Sequence, residues 1–105
     1  MGQPRTAVKC AISRGGFSAE RVFSVQLVGG GEYVGVALLA YCMDSDGQPL
    51  AENMPEPGES VLGRVEARVL KENGAVLIHV PDGEVIEVDP DQLFVGRTSN
   101  ILVKS

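Results

Sequence analysis

Three features of the sequence predict an all-β chain. Apolar and polar residues alternate with a period of two, turn dipeptides recur at short intervals, and helical periodicity is nowhere sustained. The expected architecture is a small barrel or sandwich of six to seven mainly antiparallel strands, with one short helical turn near residues 90–94. A length of 105 residues suits one domain, 1–105, around a single hydrophobic core. Apolar residues at 44% and charged residues at 22% exclude a disordered or fibrous class.

The first strand is "TAVKCAIS", residues 6–13, whose alternation places Val8, Cys10 and Ile12 inward. "SRGGFSAER", residues 13–21, is read as a flexible loop, because Arg14-Gly15-Gly16-Phe17 is a single copy of a motif that carries RNA binding only when repeated. "ERVFSVQLV" and "EYVGVALLAYCM", residues 20–28 and 32–43, form a hairpin around Gly29-Gly30-Gly31. A three-residue loop there sets Phe23, Val25 and Leu27 against Tyr33, Ala37 and Leu39. The opposite face is apolar as well, with Val22, Val34, Val36, Leu38 and Cys42. A strand apolar on both sides must be covered on both. The expectation is a homo-oligomer with Val34, Val36 and Leu38 at its interface.

Residues 44–62, "DSDGQPLAENMPEPGESVL", hold three prolines, two glycines and five acids and read as an exposed acidic loop. Loops of this length are functional or disordered. This one either keeps the protein soluble or forms a rim in which Met54 grips a partner.

From residue 63 the register can be tested. "KENGA" contains Asn73-Gly74, a strong two-residue hairpin signal that pairs Glu72 with Ala75, so Val69 faces Ile78 and Ala67 faces Val80. "VPDGE" suits a type I turn closed by Gly83, pairing Val80 with Glu84. Ile78 then meets Ile86, and Val76 meets Val88. Two turns chosen independently thus place Val65, Ala67, Val69, Val76, Ile78, Val80, Ile86 and Val88 on one face. A one-residue slip would turn Leu77 and His79 inward instead. In "DPDQL", Asp89 is an N-cap, Pro90 opens the turn and Gln92 completes a capping box. Leu93 and Phe94 plug one end of the core, and "SNILVKS", residues 99–105, forms the final strand.

The meander "GRVEARVLKENGAVLIHVPDGEVIEVDPDQL", residues 63–93, resembles the second half of small SH3-like barrels, the group that includes Tudor and KOW modules. The resemblance implies an SH3-like barrel and carries no diagnostic motif. A methyl-ammonium cage of the Tudor kind needs clustered aromatics, and this chain has only Phe17, Phe23, Tyr33, Tyr41 and Phe94. KOW modules use basic surfaces, which this half lacks.

The formal net charge is −5, which argues against a dedicated nucleic-acid binder. Residues 1–43 are nonetheless basic, with Arg5, Lys9, Arg14 and Arg21 against Glu20 and Glu32, whereas the 44–62 loop carries Asp44, Asp46, Glu52, Glu56 and Glu59 with no cation. The longest apolar run, Val34 to Met43, is about half a membrane span. The N-terminal "MGQPRTAVKC" lacks the apolar core of a signal peptide. Cys10 and Cys42 lie in no CxxC pair, so both are expected reduced and buried in a cytoplasmic protein.

His79, the sole histidine, projects from the outer face of the meander beside Arg68 and Val85, with Glu87 diagonal to it. One reading is a shallow ligand site in which Arg68 holds an anion, His79 acts as base and Glu87 orients it. The competing reading is a solvated strand face where opposite charges pair. No metal is expected: "DSDG" opens like a calcium loop, but the twelfth position from Asp44 is Pro55, where a bidentate Glu belongs. "GGGEYVG" fails the dinucleotide spacing, and no GxSxG, HExxH or phosphate loop occurs. No catalytic residue and no cofactor is assigned. The function expected is a non-catalytic binding or interaction module, self-associating through an apolar strand face. The alternatives are a small-ligand binder or small enzyme at Arg68, His79 and Glu87, and a weak nucleic-acid binder through the N-terminal basic residues.

Overall fold

The alternation in the sequence becomes strand almost throughout the computed structural model, which describes residues 5–96. The strands are β1 (Arg5–Arg14), β2 (Glu20–Gln26), β3 (Glu32–Leu38), β4 (Cys42–Asp44), β5 (Ser60–Asn73), β6 (Ala75–His79), β7 (Val85–Val88) and β8 (Leu93–Gly96). Two single-turn 3₁₀ helices, Leu39–Tyr41 and Pro90–Gln92, are the only helical pieces among the described residues. Hydrogen bonding runs in the order β3-β2-β1-β5-β6-β7, with β4 also on β5 and β8 also on β1, and every pairing is antiparallel.

A single long strand turns this sheet into a barrel. β5 pairs with β1 over Ser60–Ala67 and with β6 over Arg68–Asn73, so one strand of 14 residues serves both halves. Closure comes from the far ends: the Val28 N–H donates to the Glu87 carbonyl at 3.1 Å and Gln92 Nε2 donates to the Gln26 carbonyl at 3.0 Å. Among the described residues eight strands stand where six to seven were expected, because the 3₁₀ turn at Leu39–Tyr41 splits off β4 from the long second arm of the first hairpin and the chain after Pro90–Gln92 resumes as β8. The expected strand at 99–105 lies outside the described residues, and Leu93 and Phe94 are themselves in a strand, β8.

The meander has the predicted faces. Val69 pairs with Ile78, Ile78 with Ile86 and Val76 with Val88. Val65, Ala67, Val76, Ile78, Val80, Ile86 and Val88 are buried, and Val69 packs against them. Each fully buried valine or isoleucine among them contributes roughly 1.5–3 kcal/mol. The tip differs by one residue: Asn73 pairs with Ala75 across Gly74, and a bulge between Val69 and Lys71 restores the expected register below it. The core tolerates a slipped turn but not a slipped valine row, so the extra residue is absorbed at Leu70.

The first hairpin also keeps its faces while shifting by two residues. Phe23 pairs with Gly35 and Val25 with Tyr33, because the three-residue loop is Val28–Gly30, closed by the Leu27 N–H to the Gly31 carbonyl. An even shift preserves which side chains point inward.

The acidic segment is more ordered than an exposed loop. Asp44 lies in β4 and Ser60, Val61 and Leu62 in β5, so the connection is Ser45–Glu59. It is exposed at most positions, yet Leu50 and Pro55 are buried. Two arginines from the β1–β2 corner hold it. Arg21 is fully buried and donates from Nε to the Met54 carbonyl (2.9 Å), from Nη2 to that of Glu52 (2.8 Å), and from Nη1 to those of Ser18 and Glu20. Arg14 Nε donates to the Pro55 carbonyl at 2.7 Å.

Candidate functional site

Two surfaces could engage another molecule. The first is the outer face of β3. In this strand burial alternates strictly, so Gly35 and Ala37 turn in while Val34, Val36 and Leu38 turn out, 57%, 43% and 57% exposed. Val36 lies opposite Val22 on β2, and Val34 lies in a row with Ser24, Ala11 and Leu62 across four strands. Leu62 is 64% exposed and extends the apolar surface onto β5. The inner side of β3 is fully committed: Tyr33 stacks at a tilt on Phe23, and its hydroxyl donates to the Asp82 carboxylate in the β6–β7 turn. Burial, together with that carboxylate, pushes the Tyr33 pKa up to about 12.

The second surface is a broad depression of about 790 Å³ lined by residues of β1, β5, β6 and β8. Arg68 and His79 are direct cross-strand partners and both line it, with Thr6 and Val95 on one wall and Tyr41 at another edge. Glu87 does not line it. That residue is opposite Leu77 on β7, one row away from His79 and exposed. The strand alignment therefore joins two of the three predicted site residues and leaves the third beside them. Glu66 and Glu72 contribute opposite charge to the same lining.

Two of the four N-terminal cations are committed within the chain. Arg21 is the buried loop anchor, and Arg14 is engaged by carbonyls. The signal for Arg21 was in the alternation, since Arg21, Phe23 and Val25 share a parity and hence a face. The exposure of Leu62 was hidden because its neighbours across β1 are known only from the tertiary register.

Cys10 and Cys42 are buried and unbridged. Burial, and then the proximity of Cys42, raises the Cys10 thiol to about 12, and burial raises Cys42 to about 11 against the opposing pull of Arg21. Neither is a nucleophile at neutral pH. No group of three or more metal-ligating side chains occurs among the described residues, and none of their helices is long and apolar enough to cross a membrane. Comparison with protein-family models, with curated proteins and with solved structures finds no match.

Proposed function

We propose that this protein is a non-catalytic interaction module that self-associates through the outer face of β3, with the acidic loop as a rim. The observation that carries the reading is the exposure of Val34, Val36 and Leu38 in one uninterrupted row. The long shared strand β5, the 3₁₀ turn at Pro90–Gln92 and the pairing of β8 with β1 support an SH3-like barrel, a scaffold that presents strand faces and loops to partners. Two buried thiols left as thiols support a cytoplasmic protein. Light scattering over a concentration series tests the proposal. The wild type should exceed monomer mass and dissociate on dilution, while Val34→Lys/Leu38→Lys stays monomeric with an unchanged circular dichroism spectrum. A wild type of monomer mass at every concentration would defeat it.

A second reading, a shallow anion-binding site, is favoured by the adjacency of Arg68 and His79 in one depression. Its test is the NMR titration of His79. Inorganic phosphate should shift the imidazole resonances in the wild type and not in Arg68→Ala, and an ordinary titration indifferent to phosphate and to Glu87→Gln would remove this reading.

A further inference from the structure

We infer that the partner of β3 is β3 of a second copy, joined edge to edge in antiparallel pairing about a two-fold axis near Val36. The inference rests on the reading of β3 as the docking surface and names what covers it.

Hydrogen-bond phase supplies the first argument. The Leu27 N–H bonds the Gly31 carbonyl at one end of the β2–β3 ladder and the Leu39 N–H bonds the Ala19 carbonyl at the other. Both pairs follow the register that sets Phe23 against Gly35. Hydrogen-bonded and non-bonded pairs alternate in an antiparallel ladder. Tyr33, Gly35 and Ala37 therefore direct their amides and carbonyls at β2, and Glu32, Val34 and Val36 direct theirs away, as does the Leu38 amide, while the Leu38 carbonyl accepts from the Cys42 thiol at 3.7 Å. β3 ends the strand order, so among the described residues no strand meets those outward groups. The residues with outward amides are the same ones whose apolar side chains are exposed.

The second argument is the lack of protection. Sheet edges are normally guarded by lysine, proline, a bulge or a covering segment. β3 runs seven residues in continuous register with no lysine, no proline and no bulge, and its one charge is Glu32 at the end. The β6–β7 turn meets this strand from inside the barrel, at the Tyr33 hydroxyl and beside Gly35, rather than along its outer row.

The third is self-complementarity. A two-fold interface needs a surface that matches itself. Centring on Val36 pairs Val36 with the partner's Val36 and Val34 with the partner's Leu38, so the three aliphatics meet only one another. Glu32 then falls opposite Ala40 of the partner subunit. Moving the centre to Gly35 would set Glu32 against the partner's Leu38 instead. The area argues for a modest affinity: a standard interface covers roughly 800 Å² per partner, more than three side chains and one strand edge provide. The dimer should be reversible.

Sedimentation equilibrium on the wild type, Val36→Pro and Leu62→Lys tests this. Proline at 36 removes an outward N–H without touching the β2 ladder, and proline is tolerated in edge strands on that side. Leu62 lies three strands in from the edge, so face-to-face packing would need it and edge pairing would not. The expected result is a wild type that dimerises, Leu62→Lys that dimerises equally, and Val36→Pro weakened at least ~10-fold. Hydrogen exchange of the wild type gives an independent readout: the Val34, Val36 and Leu38 amides should gain protection with concentration. Dimerisation lost in Leu62→Lys but kept in Val36→Pro, or no such protection, overturns edge pairing and leaves the apolar-face reading standing. A monomeric wild type defeats that reading itself.

Discussion

Arg21 shows how one side chain can order a segment of the chain far from it in sequence. A guanidinium has five donors and no acceptor, so burial requires a ring of oxygens. Here the oxygens are main-chain carbonyls from both the β1–β2 corner and the acidic loop. Arg21→Ala leaves those carbonyls without a donor and opens a cavity, an expected loss of about 3–5 kcal/mol in urea denaturation. Arg21→Lys should recover part of it, and a loss below that of an ordinary surface substitution would contradict the assignment. Gly35 matters for a different reason. Its φ is not positive, but a Cβ there would fall on the Asp82 carboxylate and lie 2.8 Å from atoms of Phe23 and Tyr33. Gly35→Ala should therefore destabilise by about 1–3 kcal/mol through overpacking, and Asp82→Ala in the same chain should relieve part of that cost.

Among the elements, the 3₁₀ turn at Pro90–Gln92 has consequences out of proportion to its length. Asp89 Oδ1 accepts from the Asp91 N–H at 3.0 Å, Gln92 Oε1 accepts from the Asp89 N–H at 3.3 Å, and Gln92 Nε2 reaches the Gln26 carbonyl of β2. The cap therefore fixes the turn and ties it across the barrel seam. Asp89→Ala should lower stability by about 0.5–2 kcal/mol, with Asp89→Asn restoring most of it, and hydrogen exchange should show the loss at β8 and at the end of β2. This capping box was readable in "DPDQL" because its partners are three residues apart. The hairpin tips were less uniformly so: the Pro81-Asp82-Gly83 turn closes as read, with the Val80 N–H on the Glu84 carbonyl, whereas the Asn73-Gly74 tip pairs one residue off and the first hairpin is offset by two. The cost of moving a loop by a residue is small beside that of moving a row of valines, so the core chose the register and the turns adjusted.

At the scale of the whole molecule, the interior sets an alkaline limit. Free cysteine ionises near 9.0, but burial holds Cys10 at about 12 and Cys42 at about 11. Tyr33 likewise moves from 10.0 to about 12 through burial and its bond to Asp82. Between pH 9 and 12 the unfolded chain binds fewer protons than the folded one, so stability falls as pH rises. Below pH 9 these three groups contribute their full stability. Thermal melts should thus be flat toward neutrality and decline above pH 9, and in Cys10→Ala/Cys42→Ala the decline should begin near 10.0, where Tyr33 takes over. A decline starting at the same pH in that variant would mean that the thiols are not its source.

The sequence by itself determined the strand class, the inner face of the meander, the outward placement of His79 and the helical cap. All of these depend on periodicity and on partners a few residues apart. Only the tertiary structure decided which strands adjoin. It pairs Arg68 with His79 in one depression and puts Glu87 a row away, brings Leu62 into line with Val34, and turns Arg21 from a surface cation into a buried anchor. β3 became an edge for the same reason. A period of two says which side of a strand is greasy, but whether that side or that edge is covered depends on contacts between residues tens of positions apart, and those arise from the closure of the barrel.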